Sequence, residues 1–204
     1  MSDEYAIGVR PLPLMIDTVS VPSLSGLIGI SSCPGMKEFS TLDLYDDRID
    51  NDLQCISNWG AAVIVTLLEA REIATLGIAA LPEKVLSKNI LWLHLPMNNR
   101  GLPDEEFEEK WRWAGSRLLH FLQEGQRVLI HCKEGVGRSG IVAARLLIES
   151  GIDADSAIRA VRKARPGSLM LYSQEKYCYS LDSAVTHEKS ATKSSFARLR
   201  SFSL

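Results

Sequence analysis

Cysteine is scarce in this chain, and long apolar runs and a strong excess of one charge are missing. Each absence argues against a class of function. The four cysteines, Cys33, Cys55, Cys132 and Cys178, are scattered over 204 residues with no C-x-x-C spacing. That speaks against a disulfide-stapled scaffold and against a cysteine zinc site. No run approaches the ~18 apolar residues of a membrane span. A net charge of −2 offers no general attraction to nucleic acid or to an anionic membrane surface. The opening residues M-S-D-E-Y-A are acidic and lack the basic and apolar regions of a secretory signal. The expectation is a cytoplasmic protein with no metal, no other cofactor and no nucleic-acid partner. Its oligomeric state is not legible.

What is present is an alternation of short apolar runs and helical patterns. Residues 63–67 (V-I-V-T-L) and 90–95 (I-L-W-L-H-L) read as strands, the second ended by Pro96. Between them a helical stretch from about Glu69 stops at Gly77. Phe107, Trp111, Ala114, Leu118 and Leu122 fall at helical spacing over 105–123, and Gly125 closes that helix. Residues 128–131 return as a strand. The run Ile141 to Ile148 is apolar nearly all round and is expected to be a buried helix. Residues 154–164 set Ala157, Ile158 and Val161 against Arg159, Arg162 and Lys163, and Pro166 follows. This alternation implies an α/β fold, a mainly parallel central sheet with helices on both faces. Three parts are expected: an N-terminal extension over 1–24, a folded domain over 25–186, and a Ser-rich basic tail over 187–204.

Most of the functional information lies in residues 131–140, H-C-K-E-G-V-G-R-S-G. Five residues separate Cys132 from Arg138, between a strand and a buried helix. A tight glycine loop there wraps backbone N–H groups around one point, and the helix N-terminus aims at the same point. Lys133, Glu134, Gly135, Val136, Gly137 and Arg138 would thus cradle an anion. The planar guanidinium of Arg138 suits two oxygens of one phosphate. Inside that positive field Cys132 is expected to ionise to a nucleophilic thiolate.

At these residues the chain resembles the cysteine-dependent protein phosphatases, whose signature is His-Cys, five residues, then Arg-Ser/Thr-Gly. His131, Cys132, Gly135, Arg138, Ser139 and Gly140 coincide with it. Further likeness, over Leu27–Lys37, Ala61–Gly77, Pro96–Asp104 and Arg165–Tyr177, is to the kinase-associated phosphatase branch of the dual-specificity phosphatases. That branch is also called the cyclin-dependent kinase inhibitor 3 family. The resemblance implies a phosphorylated protein substrate, a phosphocysteine intermediate on Cys132 and metal-free hydrolysis. Ser139 would then stabilise the thiolate as it leaves, a role compatible with serving as a helix N-cap as well, and His131 would order the loop by hydrogen bonds.

One departure stands out. The resemblance implies an aspartate acid three residues after Pro96, where this chain has Asn99. Asp104 is the preferred replacement, although it also reads as a helix N-cap. Glu134, inside the loop, is the alternative acid, and a reaction without a dedicated acid stays open. Gln174 falls where the family positions a water, against the equal reading of a surface residue on the last helix. Met170 stands where relatives often carry a polar residue. His94 reads as a structural histidine, and Trp59, Trp92, Trp111 and Trp113 as core or half-buried. Three rival functions remain at this point: an inactive phosphoprotein-binding module, a phosphatase of non-protein substrates such as phosphoinositides, and a rhodanese-like sulfur carrier.

Overall fold

The computed structural model describes residues 12–36, 48–99 and 101–183. The tail expected over 187–204, and residues 1–11 of the N-terminal extension, lie outside the described residues. Five strands form one sheet in the order β1-β2-β5-β3-β4. They are β1 (Asp17–Val19), β2 (Leu27–Ser31), β3 (Ala61–Thr66), β4 (Leu91–His94) and β5 (Arg127–His131). The β1 strand runs antiparallel to β2, and every other pair is parallel. The sheet thus begins before residue 24, inside the stretch expected to be an extension. A three-residue strand with one buried side chain, Val19, is too short to show period-2 patterning.

Helices cover both faces, as expected. On one lie α4 (Glu105–Gln123), α5 (Arg138–Glu149) and α6 (Ala154–Ala164), packed with Ile28, Ile30, Val63, Val65, Val128 and Ile130. On the other lie α1 (Arg48–Trp59) and α3 (Leu81–Ser87), against Ile64 and Leu129. Neighbouring residues of β3 and β5 feed opposite clusters because strand side chains alternate. The short α2 (Ala70–Thr75) follows β3, and residues 172–183 form a last helix, α7. Every residue of α5 from Arg138 to Ile148 is buried. Among the tryptophans, Trp113 departs from expectation. It is 56% exposed on the solvent side of α4, with the Arg117 guanidinium over its ring.

The register fixes where ligands can bind. Ser31 of β2, His131 of β5, Thr66 of β3 and His94 of β4 are paired across the sheet and stand level at its carboxyl edge. The loop from β5 to α5 leaves from that edge, where parallel sheets present ligand sites.

Candidate active site

The loop from Cys132 to Gly137 is held by its carbonyl oxygens. Lys133 O accepts from Cys33 N–H at 3.0 Å, and Glu134 O from Arg165 Nη2 at 2.8 Å. Val136 O accepts from Leu169 N–H at 3.3 Å, and Gly137 O from Ile141 N–H in α5 at 3.1 Å. A peptide's N–H points away from its C=O, so carbonyls pinned outward turn N–H groups toward the inside of the loop. There Gly135 N–H donates to Cys132 Sγ at 3.2 Å, and Ser139 Oγ lies 3.5 Å from the same sulfur. Gly135 is required twice over. Its φ is +75°, and a Cβ there would sit 2.3 Å from Ser31 O. The loop therefore leans directly on the end of β2.

Gly137, not Ser139, is the N-cap of α5, and no side chain caps that helix. Its first N–H groups stay available to an anion. Ser139, fully buried in the first turn, has the sulfur as its nearby partner.

Arg138 is held on three sides. Its Nη1 and Nη2 donate to the two carboxylate oxygens of Glu72 at 2.6 and 2.7 Å. Nη1 also donates to Leu67 O at 3.2 Å and Met97 O at 3.0 Å. These bonds use the end of the guanidinium and leave its Nε–H/Nη2–H side edge for two oxygens of a ligand. Burial would raise the Glu72 carboxyl, but the hydrogen bonds from Arg138 and Glu69 N–H hold it below its ordinary value. Burial likewise would lower Arg138, and the Glu72 hydrogen bonds with the nearby Cys132 charge keep it raised. Sequence reading missed Glu72, whose partner lies 66 positions away. The available signal was a carboxylate just past the carboxyl end of β3, on the edge that carries the loop.

His131 is fully buried and its pKa is lowered to about 4, chiefly because burial disfavours the charged ring. Its neutral form has a definite tautomer. Nδ1 faces Cys132 O at 3.3 Å, and a carbonyl only accepts, so Nδ1 carries the proton. Nε2 then accepts from Thr66 Oγ1 at 2.7 Å, and Trp92 Nε1 donates to that hydroxyl at 2.9 Å. His131 thus ties the loop to β3 and β4, the ordering role expected of it. His94 bonds Leu68 O at 2.8 Å and stacks on Trp92, a structural placement.

Asp104 is the N-cap of α4, its Oδ1 accepting from Phe107 N–H at 3.0 Å, and Asn98 Nδ2 donates to its Oδ2 at 3.4 Å. Asn99 is exposed in the turn that follows Met97. Lys133 and Glu134 are exposed on the loop rim, and Val136 is half-buried. Gln174 is no surface residue. It is 4% exposed, and a Cβ at Gly137 would lie 3.5 Å from its Nε2. Cys33, also missed, is buried beside the loop. Burial, with the Cys132 charge adding to it, pushes its thiol up to about 12. Among the described residues no three His, Cys, Asp or Glu side chains are grouped to hold a metal ion.

A family model for a DSP-PTPase phosphatase of polymorphic toxin systems matches residues 35–152, strand edge and cysteine loop included. The chain belongs to the DSP-PTPase phosphatases. Within them its likeness runs to the kinase-associated branch. Human cyclin-dependent kinase inhibitor 3 is 28% identical over 189 residues, covering 87% of this chain and 82% of the relative. The tyrosine-protein phosphatase CDC14 of Candida albicans is 27% identical over 84 residues, 41% of this chain and 15% of that protein. Kinase associated phosphatase, solved with its catalytic-site cysteine replaced by serine, superposes with a TM-score of 0.75 at 22% identity. That match covers 87% of this chain and 98% of the other. This phosphatase is therefore a cysteine-dependent phosphoric monoester hydrolase of the protein-tyrosine/dual-specificity class. Among its described residues no helix is long and apolar enough to cross a membrane.

Proposed function

We propose that this phosphatase hydrolyses phosphorylated protein side chains in two displacements at phosphorus, with Cys132 as nucleophile. The observation that carries this reading is buried Cys132, its sulfur flanked by the Gly135 N–H and the Ser139 hydroxyl, with the guanidinium of the same loop held in place by Glu72. The thiolate attacks phosphorus, and the substrate oxygen leaves with the peptide. Loop N–H groups and the free edge of Arg138 hold the three equatorial oxygens as charge shifts among them. Water, oriented by Gln174, then attacks the phosphocysteine. Ser139 donates to the departing thiolate and phosphate is released.

The acid position supports a preference for phosphotyrosine. Asn99 stands where an acid is implied, and Asp104 is engaged by Phe107 N–H and Asn98. Glu134 is exposed, with its carbonyl tied to Arg165. We read Asp104 as a cap first. The reaction then proceeds without a positioned acid and favours phenolate leaving groups over alkoxides. Phosphotyrosyl, phosphothreonyl and phosphoinositide substrates, assayed on wild type and Cys132→Ser, test this directly. Phosphotyrosine turnover well above phosphothreonine, absent in the serine variant, is expected. Phosphoinositide turnover exceeding that of both peptides would replace the protein-substrate reading. A roughly 10²–10⁴-fold loss on alkyl phosphates in Asp104→Asn, spared on aryl esters, would restore Asp104 as the acid. The same pattern in Glu134→Gln would assign Glu134.

A further inference from the structure

Large apolar side chains exposed one at a time need no explanation, but a contiguous group beside a catalytic loop does. Met170, Leu171 and Tyr172 are consecutive and 72%, 55% and 78% exposed. They follow directly on Leu169, whose N–H bonds Val136 O in the cysteine loop. They precede Gln174, which packs against Gly137 of the same loop.

The segment is held rigidly while its side chains stand in solvent. Arg162 donates to Ser168 O and Leu169 O, and reaches Glu175 at 2.6 Å. Leu171 N–H faces Gln174 Oε1 at 3.4 Å, and Gln174 N–H donates to Leu171 O at 2.9 Å. Leu169 is fully buried with φ +56°. A left-handed leucine persists only where its surroundings fix it. The strained turn buries one apolar residue and leaves the next three exposed, between the Leu169 bond to Val136 and the Gln174 contact at Gly137. Rigid apolar and aromatic side chains of this kind bind partners at low entropic cost.

We infer that Met170, Leu171 and Tyr172 form an apolar shelf that receives apolar side chains flanking the phosphorylated residue of a protein substrate. The shelf rests on the protein-substrate reading above and adds a sequence preference to it. Its occupant follows from continuity with the catalytic loop. A phosphorylated side chain seated over Cys132 must bring its neighbouring residues across this rim, and these residues offer no charge for an acidic flank.

The test uses the full chain and three peptides that differ only in the two residues on each side of the phosphorylated one: leucine and phenylalanine, serine, or glutamate. Each is made with phosphotyrosine and with phosphothreonine, and p-nitrophenyl phosphate, which has no flank, is assayed alongside. Wild type should show kcat/KM about tenfold higher on the apolar-flanked peptide than on the serine-flanked one, with the glutamate peptide lowest. In the combined Met170→Ser, Leu171→Ser, Tyr172→Ser variant the apolar-to-serine ratio should collapse toward one. A wild-type ratio near one, or a ratio that survives in the triple variant, overturns the shelf while peptide turnover upholds the underlying reading. Turnover of p-nitrophenyl phosphate with no hydrolysis of any peptide overturns that reading and the shelf with it. A loss on p-nitrophenyl phosphate as steep as on the apolar-flanked peptide would assign these residues to holding the loop, which also overturns the shelf.

Discussion

Two arginines two helical turns apart on α5 are equally buried, each 7% exposed, yet their surroundings differ in one decisive respect. Arg145 is held between helices. Its Nε donates to Glu149 and its Nη1 to Glu108, both at 2.7 Å, and Tyr177 lies 2.5 Å from Nη1. The guanidinium also lies over Trp111, whose indole N–H donates to Glu149 at 2.8 Å. Arg138 is held as firmly, by Glu72 and two carbonyls, but its Nε–H/Nη2–H side edge takes no partner among the described residues. The first cluster welds α4, α5 and α7 together. The second is a binding group braced from behind. A buried cation shared between carboxylates of packed helices serves the fold, and one braced by a carboxylate next to a nucleophile loop serves a ligand.

The sharpest way to break that comparison is to change each arginine and read activity and stability together. Arg138→Lys should lower kcat/KM on a phosphotyrosyl peptide by roughly 10²–10³-fold, since a point charge cannot reproduce the two-pronged grip on an oxyanion. Steady-state kinetics with a thermal melt would show the loss falling mainly on kcat. Arg145→Met should do the reverse. Leaving Glu108 and Glu149 without their cation should cost about 2–3 kcal/mol. That is less than the about 3–5 kcal/mol of a fully buried pair, because Glu108 is 39% exposed at its side chain. For a chain of this size that is a fall in Tm of roughly 5–10 °C, with kcat/KM at 25 °C nearly unchanged. An Arg145 variant that folds normally and loses activity would dissolve the distinction.

His131 sharpens the comparison in a pH window. Its folded pKa of about 4 lies below the ordinary 6.5, so the unfolded chain takes up the proton first. Stability present above pH 6.5 is therefore lost as pH falls through 6.5 toward 4. The loss is on the order of 3 kcal/mol from this group. Thermal melts across pH 4–7 should show a steeper decline in wild type than in His131→Gln. Parallel profiles would remove His131 as the cause.

The same contrast marks what the sequence could disclose. Helix α4 was legible from Asp104 to Gly125 because its cap, its periodicity and its stop are all local, and α6 with its apolar face and Pro166 likewise. The cysteine loop was legible because its anion cradle is built from consecutive N–H groups. What escaped depends on distant partners. Glu72 has meaning only once β3 brings it to Arg138, and Cys33 only once β2 lies beside β5. Helix α1 was not anticipated, because Ile49, Leu53 and Ile56 make a narrow stripe in an otherwise polar segment. Tertiary packing, not local propensity, secures such a helix. The departure at Asn99 was visible in the chain, but its consequence needed the structure, which engages Asp104 at the head of α4.

The central claim is that the Cys132 sulfur takes the phosphoryl group. Denaturing quench of turnover with a ³²P-labelled phosphotyrosyl peptide tests it most directly, with Ser139→Ala slowing breakdown so that the intermediate accumulates. The account predicts label on the peptide fragment that contains Cys132, and none in Cys132→Ser. Label on another residue, or wild-type turnover by Cys132→Ser, would contradict it.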